Sequence, residues 1–551
     1  MTAVRRPAVA GFLAGAALIA GLTVLARVTG FGRILVFSYA LNGANCLSDV
    51  YQSANTVPNI IFEIVAGGVL ASAVVPLLAG DVAAGTAAGA ARAERTAGAL
   101  LTWVVLLLVP LAVVVALAAE PLAAAALGDK AGGCAGAVDV AASMLRVFAP
   151  QIVLYGVGIV LTGVLQAHRR FAGPALAPLL SSLVVIGAYL LYAVLADGHR
   201  GGDLGQLTAG EQAALSVGTT LGVVALTVPL LLWLRPTGLR LRPRLRFDPE
   251  LTGRVRSLAA AGVGVLLAQQ ASVAVALHLS NDGVPAGYNT TLLYAQTVYL
   301  LPWAVLAVPI ATAVFPRLAA AADARDRSGY AAALRPALRS VVLLSLLGTA
   351  VLVAAAPPVA ALFLSPESTN AVDPGVLSGA LVAFAPGLLG YGLVALLTRA
   401  LFASGASRAA TVATAAGWLV VVAADLGLAA VLPRADRVAA LAWGNSIGMT
   451  LAGALLVAAT VRRAGPGALR GLGRTFAVGL AAAAVAAVAG RIVATLDWGP
   501  DFGTALGQGM LSSTVVLVVF AAVVALGARE DLRAVTARLR RGGDNGRTAG
   551  A

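Results

Sequence analysis

Read as a pattern of apolar and polar positions, the chain is a succession of apolar stretches separated by short segments rich in arginine and glycine. A helix rising 1.5 Å per residue needs about 20 apolar residues to cross some 30 Å of hydrocarbon. Fourteen stretches meet that length, near 10–41, 48–79, 97–119, 140–167, 174–196, 213–234, 257–280, 288–315, 337–363, 376–403, 409–432, 438–461, 475–496 and 506–527. The first two are long enough to hold a bend or an interfacial piece. The expected fold class is an all-α polytopic membrane protein with 14 transmembrane helices.

Composition narrows the class without changing it. Of 551 residues, 60% are hydrophobic and only 11% charged, with a mean hydropathy of +0.91; soluble domains carry about 25% charged residues. No small-residue cleavage site follows a short apolar region, so no removable signal peptide is expected. The net charge of +14 points to topology and not to nucleic acid. With the N-terminus inside, 29 of the 38 Lys and Arg fall in cytoplasmic segments, against four outside: Lys130, Arg200, Arg434 and Arg437. That bias fits an even number of helices with both termini cytoplasmic.

An internal repeat organises the helices. FAPQIVLYGVGIVLTGVL (148–165) aligns without gaps to FAPGLLGYGLVALLTRAL (384–401), sharing Phe, Pro, Tyr, Gly and Thr at common offsets. A looser match links 57–80 to 301–320, shorter by four residues in the second copy. The expected architecture is two parallel six-helix repeats plus an appended helix pair. Residues 1–235 form an N-lobe, 236–256 a basic cytoplasmic loop, 257–461 a C-lobe, 462–527 helices 13 and 14, and 528–551 a basic tail attracted to anionic lipid. Transporters with parallel halves bind substrate between them and alternate access.

The chemistry must come from few groups. The one lysine, Lys130, is in no phosphate-binding loop, so no ATP motor of that type is expected. Three scattered histidines and two cysteines give no zinc site, and the loops are too short for an enzyme domain; no metal and no catalytic residues are expected. Arg27 and Arg33 interrupt the first span at a cost of about 2.5–3.5 kcal/mol each at mid-bilayer. They are anion-binding candidates, with small Gly30 between them allowing close approach; the alternative is that both snorkel to the interfaces. Asp49, at the start of helix two, is a gating candidate or a cap. Glu63, well inside the span, is protonated or paired with an arginine such as Arg33. Asp425, mid-span, is a candidate cation or proton site. Cys46 and Cys134 both fall outside, where a disulfide is permitted; the alternative is two unrelated small residues.

RVTGFGR (27–33), SDVYQSANTVPN (48–59) and GGVLASAVVPLLA (67–79) resemble the MurJ (MviN) lipid II flippases, within the MATE-like multidrug/oligosaccharidyl-lipid/polysaccharide exporter superfamily. Arg27, Gly30, Phe31, Arg33, Asp49, Pro58, Asn59 and Pro76 fall on that family's pattern. The resemblance implies a multi-pass protein of the bacterial inner membrane, carrying undecaprenyl-diphosphate-linked peptidoglycan precursor to the outer leaflet for cell-wall biogenesis. It implies a cationic cavity holding the diphosphate on Arg27 and Arg33, no cofactor, and coupling to membrane potential, Na⁺ or H⁺. Implied partners are the lipid-linked oligosaccharide, membrane lipids and the cell-wall synthesis machinery. The chain departs from the pattern at Phe62 and Glu63, where two cavity arginines are common, and at Thr297, where another is. Two alternatives therefore stand beside the flippase: an exporter of polysaccharide-lipids or drugs from the same superfamily, and a non-transporting membrane scaffold.

Overall fold

The computed structural model describes residues 6–64, 68–128, 133–201, 203–239, 241–245, 249–364, 372–496, 499 and 501–527, with side chains left aside at 6–20, 68–73 and 249–263. Lys130, Arg240, Arg246 and the basic tail 528–551 lie outside the described residues. Among those described, the only regular elements are helices. Eleven are long and apolar enough to cross a membrane, or twelve when the bent pair Pro374–Phe384 and Gly387–Ala403 counts as one span. The stretches near 48–79 and 257–280 are helical too, over Cys46–Phe62 with Gly68–Ala83 and over Pro249–Leu279.

The chain forms two compact units. One comprises residues 1–291, 363–372 and 433–437; the other comprises 292–362, 373–432 and 438–551. In the first lie α1 (Arg6–Ala40), α2 (Cys46–Phe62), α3 (Gly68–Ala83), α4 (Ala87–Leu117), α5 (Ala119–Leu127), α6 (Ala137–Phe148), α7 (Gln151–Ala167), α8 (Ala172–Leu195), α9 (Ala209–Leu234) and α10 (Pro249–Leu279). α1 runs unbroken for 35 residues, about 52 Å. No proline follows Pro7 within it. α8 and α9 pack along their length, and Gly218 and Gly222 make that possible: a Cβ on either would overlap Ala188 or Val185. Small residues serve this purpose where lipid is as apolar as the helix face and only close packing drives association.

The second unit takes most of α11 (Tyr288–Pro302), then α12 (Val308–Asp323), α13 (Arg327–Phe363), α14 (Pro374–Phe384), α15 (Gly387–Ala403), α16 (Ser407–Val431), α17 (Arg437–Ala464), α18 (Leu472–Ala494) and α19 (Phe502–Gly527). The pair α18–α19 buries Ala482, Ala486, Val516 and Phe520 against Val342, Leu346 and Ala354 of α13.

The aligned sequence segments share backbone detail. Both F-A-P motifs break a helix: α6 stops at Phe148 and α7 starts at Gln151, while α14 stops at Phe384 and α15 starts at Gly387. A π-helical turn interrupts the other aligned pair, at Glu63–Ile64 after α2 and at Trp303–Ala307 between α11 and α12. Such turns tend to mark functional positions.

The helix ends match as well. After α7, Arg169 adopts left-handed φ of 56°; its N–H donates to Gln166 O and that of Arg170 to Leu165 O. After α15, Gly405 does the same at φ 76°, with bonds to Phe402 O and, from Ala406, to Leu401 O. After α12, Arg325 has φ 54°, with the same bonds to Ala322 O and, from Asp326, to Ala321 O; its counterpart after α3 is Gly85 at φ 62°. In each aligned pair one half keeps glycine, the residue suited to this helix-ending motif, and the other places arginine there, against a preference of roughly 1–2 kcal/mol.

Part of the basic loop 236–256 is held against a helix. Residues 241–245 lie along α4: Arg244 N donates to Thr102 Oγ1 at 2.9 Å, and Trp103 Nε1 to Leu245 O at 3.0 Å. Gly98 takes the carbonyl of Arg242 against its Cα, where any Cβ would collide.

Candidate functional site

In the first unit, the site is built around Arg33. The side chain is half-buried, and its Nε is shut off from solvent without an acceptor. Its charge reaches the hydroxyls of Tyr51, Tyr155 and Tyr189. Those phenols are held by their neighbours: Tyr51 shares hydrogen bonds with Tyr189 (2.9 Å) and Thr219 Oγ1 (2.6 Å). Phe37, one helical turn beyond Arg33 on α1, packs its ring 5.3 Å from Tyr51 and 5.1 Å from Tyr189. A guanidinium in such a wall, with N–H groups unspent, is a receptor for an anion.

Arg27 stands six residues earlier on the same continuous helix, about 9 Å along the axis, and is exposed. The two arginines therefore share a helix but not a set of partners. Gly30, between them, has open space: a Cβ there or at Gly32 would meet nothing within 4 Å. Among the described residues, no backbone takes up the close approach that Gly30 allows.

Glu63 caps the end of α2, its N–H bonding to Asn59 O and Ile60 O. The pairing with Arg33 does not form: no ion pair joins Glu63 to any arginine among the described residues. The π turn at Glu63 and Ile64 lies beyond Phe62, whose ring packs 5.3 Å from Tyr155. Pro58 lies within α2, and Asn59 Nδ2 donates to Asn55 O one turn back. Thr297 Oγ1 likewise donates to Leu293 O on its own helix.

Asp49 is fully buried and does not cap its own helix, a task done by Asn45. Its carboxylate accepts from Gly287 N (2.6 Å), Thr290 N (2.8 Å) and Thr290 Oγ1 (2.8 Å). It thus satisfies the first turn of α11, where N–H groups lack partners in the helix and negative charge is favoured. Around it Asn281 Nδ2 donates to Ser53 Oγ, Ala126 O and Leu277 O, and Asn289 Nδ2 to Ser53 Oγ. Cys46, at the start of α2, is disulfide-bonded to Cys134, with Cα atoms 6.1 Å apart.

In the second unit, Asp425 on α16 is buried, and its Oδ1 has no partner. α17 faces it with Gly444, where any side chain would overlap the carboxylate. The repeat tyrosine Tyr391 stacks edge-on to Trp303 (5.0 Å) at the π turn, as Tyr155 lies against Phe62 in the first unit. Sequence reading passed over Tyr51, Tyr189, Ser53, Asn281, Asn289 and Thr290. Tyr155 was within reach of it, because the repeat conserves that tyrosine between the two halves.

The family model for the lipid II flippase MurJ matches residues 38–531. Relatives include a probable lipid II flippase MurJ from Rhizobium meliloti (strain 1021), 26% identical over 369 residues, and a lipid II flippase MurJ from Burkholderia cenocepacia, 27% identical over 399 residues covering 70% of this chain and 72% of that one. The match spans 65% of each chain for the Rhizobium meliloti protein, and 54% of the length of a Rhizobium tropici relative. Among solved structures, a lipid II flippase MurJ in an inward closed conformation superposes with a TM-score of 0.70 at 16% identity, covering 94% of this chain and 100% of the other. An inward-facing multidrug resistance MATE family transporter of the MOP superfamily superposes at 0.60 and 17% identity, covering 80% and 94%. On the family match across most of its length, this multi-pass chain belongs to the MurJ lipid II flippase family.

Proposed function

We propose that the protein flips an undecaprenyl-diphosphate-linked peptidoglycan precursor from the inner to the outer leaflet of the bacterial cytoplasmic membrane by alternating access, without ATP. Arg33 carries the reading at the residue level: an arginine half-buried among tyrosines, with a buried Nε lacking an acceptor, meets the need of a diphosphate for bidentate donors that stay charged. Arg27 and the open side of α1 at Gly30 extend that site along the helix. The proposed arrangement has fourteen spans with both termini cytoplasmic, an N-lobe over 1–235, a C-lobe over 257–461, and helices 13 and 14 over 462–527 as a groove for the lipid tail.

Asp425 is the proposed coupling residue, for Na⁺ or H⁺, because a buried carboxylate with one oxygen unpartnered is costly unless something binds it. Asp49 acts as a gate by holding or releasing the first turn of α11, and Glu63, without an ion pair within its π turn, is the second candidate for coupling. Phe62, Glu63 and Thr297 in place of common arginines favour one further reading, export of a different lipid-linked or amphiphilic cargo.

The test is accessibility of lipid II to an outer-leaflet probe in a strain depleted of its own flippase. The wild-type chain is expected to restore exposure, and Arg33→Ala to abolish it at normal protein level. Normal exposure with both Arg33→Ala and Arg27→Ala would remove the site assignment. Failure of the wild type to rescue would favour the other cargo, or a scaffolding role with the cell-wall machinery.

A further inference from the structure

We propose that the second unit holds a separate binding site for a phosphate-ester anion, at the cavity where Arg325, Arg327 and Arg463 converge. The cavity measures about 290 Å³ and is lined also by Asp326, Tyr330 and Ser404. Three features make it a receptor and not a chance grouping of surface charge.

Arg463 is already oriented. Its Nε and Nη2 both donate to Ser404 O, at 3.2 and 2.7 Å, which leaves three of its five N–H groups to meet a ligand. The side chains of Arg325 and Arg327 have no hydrogen-bond or ion-pair partner among the described residues. The one carboxylate present is engaged elsewhere: Asp326 Oδ1 accepts from Ser328 Oγ (2.7 Å) and Gly329 N (2.9 Å). Those bonds hold its carboxyl below the usual carboxylate range, that of Gly329 N–H foremost, so it stays ionised without drawing in an arginine. The hydroxyls are committed as donors, Tyr330 to Ala400 O and Ser404 to Leu401 O.

Arg325 also stands in left-handed backbone where the other half of the molecule has Gly85. The glycine counterpart makes Arg325→Gly a substitution that this backbone accepts. Arginine forks match phosphate oxygens bidentately, and three of them against one carboxylate leave a net positive site. The source of the phosphate is either the headgroup of an anionic lipid or a soluble phosphate, and both present the same oxygens.

This site owes nothing to the flippase reading, so its test stands apart from the one above. Full-length protein in phosphatidylcholine nanodiscs would be followed by hydrogen exchange over residues 321–330, with inorganic phosphate in one arm and phosphatidic acid in the other. The expected result is slower exchange of that segment with at least one probe. In Arg325→Gly, the half-effect probe concentration should rise at least about tenfold, the loss of one charge-assisted pair. Because glycine suits this backbone, Arg325→Gly should melt no lower than wild type, which separates lost binding from lost folding. Protection by phosphatidic acid alone assigns a lipid headgroup; protection by inorganic phosphate assigns a soluble anion. No protection by either probe, or equal protection in wild type and Arg325→Gly, overturns the proposal.

Discussion

A single buried carboxylate and the glycine facing it show how little room this fold leaves around a charge. Asp425 has an oxygen without a partner, and Gly444 is the only residue type its position admits. Asn keeps the shape of Asp and removes the charge, so Asp425→Asn is expected to melt at or above the wild-type temperature in detergent while transport falls. A lower melting temperature would mean that the carboxylate is structurally paired. Gly444→Leu is expected to destabilise by about 1–3 kcal/mol, the usual penalty of forcing a side chain into filled space, read in the same melting assay. Arg27, Arg33, Asp49 and Asp425 were all legible in the sequence, because charge inside an apolar run stands out. Their surroundings were not. Tyr51 and Tyr189 are ordinary residues of apolar helices until folding brings their hydroxyls to 2.9 Å.

Elements show the same division between local and distant information. The helices follow from apolar length, though the stretches 140–167 and 376–403, each read as one span, break after Phe148 and Phe384. The cap on α11 does not: Asp49 lies 241 residues before the Thr290 it serves, and nothing in local spacing joins them. Asp49→Ala should cost about 0.5–2 kcal/mol, as loss of a side-chain cap does. Faster hydrogen exchange at the Gly287 and Thr290 amides would report it; unchanged exchange would show that the carboxylate is dispensable there. The strap at 241–245 was equally hidden, since an arginine-rich loop reads as solvated. Gly98→Val should push the Arg242 carbonyl off α4, raising the rate of tryptic cleavage after Arg244 without altering the melting of the helices. Equal cleavage rates would show that the strap is held without Gly98.

For the whole molecule, the hydropathy pattern and the repeat conveyed the class and an expectation of two lobes, but that the first compact unit runs on to residue 291 and takes in 363–372 and 433–437 required the structure. The arginine bias makes a topological statement that chemistry can check. Cys46 and Cys134 are bonded, so an impermeant thiol reagent applied to intact cells should label them only after reduction. A thiol introduced by Ser407→Cys, in an exposed position on the cytoplasmic side of the proposed arrangement, should react only once the membrane is opened. Labelling of Ser407→Cys in intact cells would invert the topology. The basic tail is expected to be reached from the inside with it.

The paired helix ends carry a consequence of another kind. Arg169 answers to Gly405, and Arg325 to Gly85, so each half preserves the relaxed version of a turn that the other has diverted. A duplicated fold thereby documents its own engineering options. Arg169→Gly borrows a residue that this backbone already accommodates elsewhere in the same chain, and it should raise stability by roughly 1 kcal/mol. The change touches neither Arg33 nor Asp425, which makes internal transplantation a route to a sturdier protein with its transport chemistry left intact.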